Sequence, residues 1–326
     1  MQRARILSTG SFLPETVISN DDLSQFSPEA RKLIALKTGV QTRRHADEAH
    51  CTSDLAIAAA RVCLQKADFA PEDLQGIVLS TSSPDRMQPA TATRVQHGLG
   101  AASAFAFDIN SVCSGGSFGI TVVDSLIRSG MFRSILLIAS EMYSKILNNR
   151  DFQTYPFFGD GAGAILFQAQ AGCTGGVLHS CLGTDGSRHD TICVPGGGTM
   201  MPFEKMPGPR SACFRMRGEE VFAFTMDMGP KIIGRLLDEA GAAMDDVKCF
   251  ICHQANINIL HGIAGQLGVP KERFFVNLDR YGNTASASVL IALDEALSQG
   301  RLAQGDLAVI ATFGGGLSWG ANLLRI

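Results

Sequence analysis

Apolar residues gather in short runs along this chain, each about as long as a strand. Phe105–Ile109 and Val247–Cys252, with residues 135–139, 164–167 and 307–312, are the clearest. Runs of this kind, bounded by polar and glycine-rich turns, predict strands buried in a sheet. Between them lie longer amphipathic stretches, such as the one that opens with Ser114-Gly-Gly-Ser-Phe-Gly119 and continues to about Ser129, which predict helices. Alternating helices and apolar strands imply an α/β architecture in which helices cover both faces of the sheets.

The pattern repeats at an offset of about 170 residues. ADFAPEDLQGIV, ending at Val78, is echoed by AGAAMDDVKCFI, ending at Ile251. Phe105-Ala-Phe-Asp-Ile-Asn110 parallels Phe274-Phe-Val-Asn-Leu-Asp279, and Ile135-Leu-Leu-Ile is answered by Leu307-Ala-Val-Ile. Asp124 and Gly130 match Asp294 and Gly300. Two pseudo-symmetric halves are expected, residues 1–170 and 171–326. At this offset Asn283 falls on Cys113, and His253 falls close to Ser80, the end of the matching strand.

Composition narrows the classes. The 326 residues are 45% hydrophobic and 18% charged, with 35 glycines, which describes a compact globular chain. A net charge of −3 offers no footprint for nucleic acid and no basic patch for a membrane. The first residues lack the apolar core of a secretory signal, and a cytoplasmic protein is expected. Nine cysteines are scattered. Cys249 and Cys252 sit three apart in a strand and so point to opposite faces, which argues against a chelating pair. Neither a disulfide framework nor a metal site is expected.

Three segments carry candidate chemistry. Cys113 lies in Asn110-Ser-Val-Cys-Ser-Gly-Gly, between a predicted strand and a predicted helix, where backbone N–H groups and the helix dipole favour a thiolate. His253 ends a predicted strand in Cys252-His-Gln-Ala-Asn256, a context that the other six histidines lack. Asn283 sits in the tight turn Tyr281-Gly-Asn-Thr-Ala-Ser286, where it is either a helix cap or a member of the site. A cysteine with a histidine and an asparagine brought together by folding suits acyl transfer through a thioester. Gly159-Asp-Gly-Ala-Gly163 runs into a strand rather than a helix and so fits no phosphate site. Phe313-Gly-Gly-Gly316 follows a strand and leaves N–H groups free for an oxyanion hole. Residues 184–217, rich in Gly, Pro and Met, form either a wall of the acyl pocket or a plain surface excursion.

Over its whole length the chain resembles the thiolase superfamily, and within it the β-ketoacyl-acyl carrier protein synthase III family. The motifs that carry the resemblance are Lys37-Thr-Gly-Val40, Ser83-Pro-Asp85, Cys113-Ser-Gly, Phe158-Gly-Asp-Gly-Ala-Gly163, His253-Gln-Ala-Asn256, Gly282-Asn-Thr284 and Phe313-Gly-Gly-Gly316 with Trp319-Gly320. The resemblance implies a duplicated thiolase-like fold, layered α-β-α-β-α, in a homodimer. It also implies decarboxylative Claisen condensation of an acyl thioester, held on Cys113, with a malonyl thioester. His253 and Asn283 would hold the malonyl carbonyl, Gly315 and Cys113 the oxyanion, and Phe313 would press on the malonyl carboxylate. No bound cofactor is implied, and the substrates are thioesters of acyl carrier protein or coenzyme A. Contacts to the carrier would fall at Gln254, Asn256 and Asn258.

The sequence departs from the family pattern at the tunnel mouth. Leu33 and Phe152 stand where a Trp and an Arg commonly grip adenine, and Asn258 and Ala223 where basic residues are frequent. A Cys-dependent acyltransferase using a non-malonyl acceptor in secondary metabolism, and a non-catalytic partner subunit, remain as alternatives.

Overall fold

In the computed structural model, which describes residues 2–172 and 174–326, each of those five apolar runs is a strand. With elements numbered along the chain, one sheet holds β1 (Gln2–Phe12), β4 (Gly76–Ser80), β5 (Phe105–Ile109), β6 (Ser134–Glu141) and β7 (Gly161–Ala171). Their order is β1-β7-β6-β4-β5, with β4 parallel to β5 and β6, and β7 antiparallel to β6 and β1. The other sheet holds β8 (Gly176–Thr184), β11 (Val247–Cys252), β12 (Leu307–Gly314) and β13 (Ser318–Arg325) in the order β11-β12-β13-β8. It repeats the first sheet's topology, except that a single bridge between Phe250 and Phe274 stands in for β5. Two short ribbons complete the strands, β2 (Val17–Ser19) with β3 (Thr42–Arg44), and β9 (Ile192–Cys193) with β10 (Arg215–Met216).

The helices are α1 (Pro28–Thr38), α2 (Thr52–Lys66), α3 (Thr91–Leu99), α4 (Gly115–Arg128), α5 (Gly218–Ala240), α6 (Ile257–Leu267), α7 (Leu278–Tyr281) and α8 (Ser288–Ser298). Ile120 and Val123 of α4 and Val289 and Leu290 of α8 share one core with Leu137 and Phe167 of the first sheet and Ile251 and Ile310 of the second. These two helices are therefore the middle layer. Leu55, Ala59 and Val95 of α2 and α3 cover the outer face of the first sheet against Ile77 and Leu136. Ile233, Leu236 and Ile263 of α5 and α6 cover the second sheet against Phe250 and Val309. The order is α-β-α-β-α, as the resemblance implied. A helix between two sheets must be apolar all round, and every residue of α8 from Ser288 to Leu293 is buried. Its approach to β7 is close: a Cβ at Gly163 would lie 2.6 Å from Leu290 Cβ, so any side chain there would push the middle layer away.

Two readings of the sequence need correction. All five residues of β5 are half-exposed, because β5 is an edge strand paired only with β4; it is not a buried strand in the single chain. The second correction concerns the repeat. Val112 and Ala285 both adopt positive φ, +48° and +45°, a conformation costly for non-glycine residues and most of all for a β-branched one. Each opens a short 3-10 turn, Val112–Ser114 and Ala285–Ala287, that leads into α4 and α8. This shared strain makes the two turns equivalent, and it pairs Cys113 with Ser286 rather than with Asn283. The counterpart of Asn283 is Asn110: Asn110 Oδ1 accepts from Val112 N at 3.2 Å, and Asn283 Oδ1 accepts from Ala285 N at 2.9 Å.

The eight described cysteines are free thiols. Cys249 packs in the middle-layer core and Cys252 in the α5–α6 core, on opposite faces of β11 as expected. Among the described residues no helix is long and apolar enough to cross a membrane.

Candidate active site

Cys113 follows β5 in the strained turn at the foot of α4 and is 5% exposed. Its neighbours are apolar: Tyr143, Leu147, Phe158, Ile192, Phe214 and Ala285. Tyr143 stacks on Phe158 with centroids 4.8 Å apart, and Phe214 meets both rings edge-on. Ile192, Phe214 and Met216 come from the segment 184–217, folded over Cys113 by the β9–β10 ribbon. The tip of that segment behaves differently, with Met200 92% exposed. Its ends are pocket wall and its tip is surface.

Burial pushes the Cys113 thiol well above its ordinary range, and the nearby Glu141 carboxyl pushes it further. The N–H of Cys113 acts the other way without prevailing. The expected thiolate is thus replaced by a thiol at rest, because desolvation of the charged form outweighs the helix terminus. Gly314 sits against this turn, and a Cβ there would lie 2.7 Å from Ser114 N. The close approach brings the turn at Gly315 beside Val112. Among the described residues, neither the Cys113 nor the Gly315 N–H has a backbone acceptor outside regular structure. Phe313, 4% exposed, lies in the α5–α6 core with its ring over Gly229.

His253 follows β11 directly, its N–H bonded to Ala311 O at 2.8 Å. Its Nδ1 lies 2.8 Å from Ser288 Oγ, the first residue of α8. Ser288 Oγ also accepts from Gln254 N, and in the tautomer where its own hydrogen goes to Nδ1 the ring hydrogen resides on Nε2. Burial holds this imidazole down at about 4. It is neutral at physiological pH. Asn283 is fixed by Asn283 N to Phe157 O at 2.8 Å and by Gly159 N to Asn283 O at 3.0 Å. With Oδ1 committed to Ala285 N, the amide hydrogens on Nδ2 have no protein acceptor among the described residues. Asn283 is therefore both a turn-former and a donor. It lies in a cavity of about 880 Å³ whose wall includes Phe157, Phe158, Val221, Asn256 and Ile259.

The three residues expected to touch the carrier fare unequally. Gln254 is 1% exposed, donates to Cys252 O and Phe275 O, and accepts from Asn277 N. It is a buried interior brace whose two amide hydrogens are both taken by the protein, which corrects its assignment to the carrier. Asn256 caps α6 by accepting from Asn258 N, and Asn258 donates to Lys37 O, tying α6 to α1. Both line the cavity.

Sequence reasoning missed Glu141, the last residue of β6. It is wholly buried and accepts from Ser82 N and Oγ, from Ser83 Oγ at 2.6 Å and from Ser286 Oγ at 2.6 Å. Desolvation raises its pKa against these hydrogen bonds. One carboxyl thereby joins the turn after β4 to the turn that carries Asn283, across the seam between the halves. An acidic residue closing an apolar strand was the available signal.

The pKa of His253 makes a prediction for pH. A histidine lowered from 6.5 to about 4 stays neutral until the pH approaches 4. The condensation step is expected to hold its rate from pH 7 to 5, with its acid limb near 4; a limb centred near 6.5 would contradict it. The sign for stability is the same. Below 6.5 the unfolded chain takes up a proton that the folded chain refuses, so this group lowers stability as pH falls through that window and has no effect above it.

Comparison with known proteins decides the family. Residues 107–186 match the family model described as 3-Oxoacyl-[acyl-carrier-protein (ACP)] synthase III, and residues 237–326 match its C-terminal model. The chain is 39% identical over 325 residues to the beta-ketoacyl-[acyl-carrier-protein] synthase III of Caldanaerobacter subterraneus, covering 99% of this chain and 97% of that protein. The chain belongs to the β-ketoacyl-acyl carrier protein synthase III family. As a synthase III family member it is an acyltransferase with the thiolase fold. The crystal structure of the Aquifex aeolicus synthase III superposes with a TM-score of 0.90 at 35% identity, covering 99% of this chain and 100% of that one. A priming β-ketosynthase from the R1128 polyketide pathway superposes with a TM-score of 0.91 at 28% identity, covering 99% and 96%.

Proposed function

We propose that Cys113 carries the acyl group between two half-reactions and that His253 and Asn283 serve the second of them. The overall reaction is the family's decarboxylative condensation of an acyl thioester with a malonyl thioester, giving a β-ketoacyl product. In the first half-reaction the Cys113 thiol exchanges with the acyl thioester, and its proton leaves on the departing thiol. The N–H groups of Cys113 and Gly315 hold the tetrahedral oxyanion. In the second, the malonyl carbonyl oxygen lies between His253 Nε2 and Asn283 Nδ2. Loss of carbon dioxide leaves an enolate on that oxygen, which two neutral donors stabilise without adding a charge that would trap it. The carbanion attacks the acyl-Cys113, and the thiolate takes up a proton. Phe313 supports expulsion of the carboxylate. The observation that carries this reading is a buried thiol in an apolar nest, together with a neutral imidazole and an amide whose Nε2 and Nδ2 have no protein partner among the described residues.

The acyl donor is a carrier-bound pantetheine rather than coenzyme A. Leu33 lies on α1 away from the cavity wall, and the Phe152 ring is engaged edge-on with Phe26 and Phe157. Neither side chain supplies a cation, so no aromatic–guanidinium grip on adenine forms there. Of the cations at the mouth, Arg217 is paired with Asp190 and Glu220. Stacking of a base on such a platform is worth roughly 1–3 kcal/mol, so acylation from coenzyme A is expected to be about tenfold or more slower than from a carrier donor with the same acyl group. A shallow salt dependence should accompany it. Equal or faster acylation from coenzyme A would refute this assignment.

The active form is a C2 dimer of chains whose halves are residues 1–170 and 171–326. Support comes from β5, where Phe105 and Phe107 stack 6.0 Å apart, Phe132 packs on Phe105 at 4.6 Å, and the strand's outer edge is unpaired. An exposed apolar edge of this kind calls for a partner. Met87, 68% exposed, would then reach the partner's acyl pocket. Sedimentation should give a dimer, and a stable active monomer would overturn it.

A further inference from the structure

Away from the cavity, three metal-ligating side chains converge where β8 meets the last turn of α5. His179 and Cys181 are two apart on β8, so they share one face of that edge strand. Glu239 reaches them from α5: its Oε2 lies 2.9 Å from His179 Nε2 and 3.3 Å from Cys181 Sγ. All three donor atoms fall within 4.8 Å of one another. We propose that His179, Cys181 and Glu239 form a binding site for a divalent cation of the zinc class, with water completing the fourth position.

Geometry, charge and context support it. Around zinc, with bonds of about 2.0–2.3 Å, tetrahedral donors stand roughly 3.3–3.7 Å apart. The cluster needs adjustments of about an ångström or less to match. His179 and Glu239, with side chains 34% and 40% exposed, have that freedom while buried Cys181 fixes the floor. A nitrogen, a sulfur and a carboxylate oxygen suit zinc rather than magnesium or calcium. Neutral imidazole, thiolate and carboxylate bring two negative charges, which balance the ion. Arg235 Nε holds the other carboxylate oxygen, Oε1, at 2.7 Å and so turns Oε2 towards His179 and Cys181.

The helix end gives an independent reason. Glu239 sits in the last turn of α5, where no basic residue is present and the macrodipole disfavours an acid. A cation there relieves that repulsion. A cysteine binds zinc as its thiolate, so metal binding at Cys181 releases a proton. None of these residues belongs to the Cys113 cluster or to the cavity wall. The ion would join an edge strand to the outer helix layer and act on stability rather than on turnover.

The test uses the reduced, metal-free full chain carrying Cys113→Ala, which removes the catalytic thiol as a rival ligand. Titration with zinc chloride should show about one ion bound per chain with proton release, and cobalt should give a thiolate charge-transfer band. Cys181→Ser should abolish the band, and Glu239→Gln, a surface change that spares the fold, should weaken binding about tenfold or more. Melting curves with and without zinc should separate for the Cys113→Ala parent and coincide for Cys181→Ser. No binding by the parent, or unchanged zinc affinity in both Cys181→Ser and Glu239→Gln, would overturn the proposal.

Discussion

Cys113→Ala is expected to gain no acyl mass on incubation with an acyl thioester, while the unsubstituted chain gains one acyl group. The reason is the loss of the thiol from the apolar nest formed by Tyr143, Phe158, Ile192 and Phe214. The condensation rate should fall by about a thousandfold or more, as removal of a covalent nucleophile does elsewhere. The variant should still bind malonyl thioester and decarboxylate it slowly, because His253 and Asn283 keep their supports from Ser288 and Ala285. An acyl adduct on Cys113→Ala at the level of the parent would place the nucleophile at another residue.

His253→Ala and Asn283→Ala should fail in the opposite way. Both variants should take up the acyl group at close to the parent rate, since neither side chain makes a hydrogen bond to the thiol among the described residues. Condensation should then fall by about 10²–10³ for each, the usual effect of removing one donor from a developing oxyanion. Asn283→Ala carries an added structural cost, because Oδ1 also accepts from Ala285 N and shapes the strained turn. Asn283→Asp separates the two roles: it keeps that acceptor and loses the Nδ2 donor. Acylation that collapses in His253→Ala would mean that the imidazole also works in the first half-reaction.

The layered fold was legible in the sequence because its strands are apolar runs and its halves repeat. The register of the repeat was not, for a physical reason. The second half inserts the helical turn α7 before its catalytic turn, and α8 has 11 residues where α4 has 14. A uniform offset of 170 therefore aligns Asn283 with Cys113, while the positive-φ residues Val112 and Ala285 show the true pairing. His253 stands out because it terminates an apolar strand. Glu141 closes an apolar strand in the same way, but the serines that fold onto it and give the carboxyl its role come from distant turns. Gln254 misleads because polar character in a turn says nothing of burial. The cluster at His179 leaves no spacing signal: two ligands lie on one strand and the third is 58 residues further on.

The most direct test of the account is a single-turnover chase on the unsubstituted enzyme. The acyl-enzyme is formed with an isotopically labelled acyl thioester, freed of excess donor, and then mixed with malonyl thioester on its carrier. The label should leave Cys113 and appear, mole for mole, in a β-ketoacyl product as carbon dioxide is released. A labelled adduct that persists, or that passes to another acceptor without release of carbon dioxide, would contradict the shared role of Cys113 in two half-reactions.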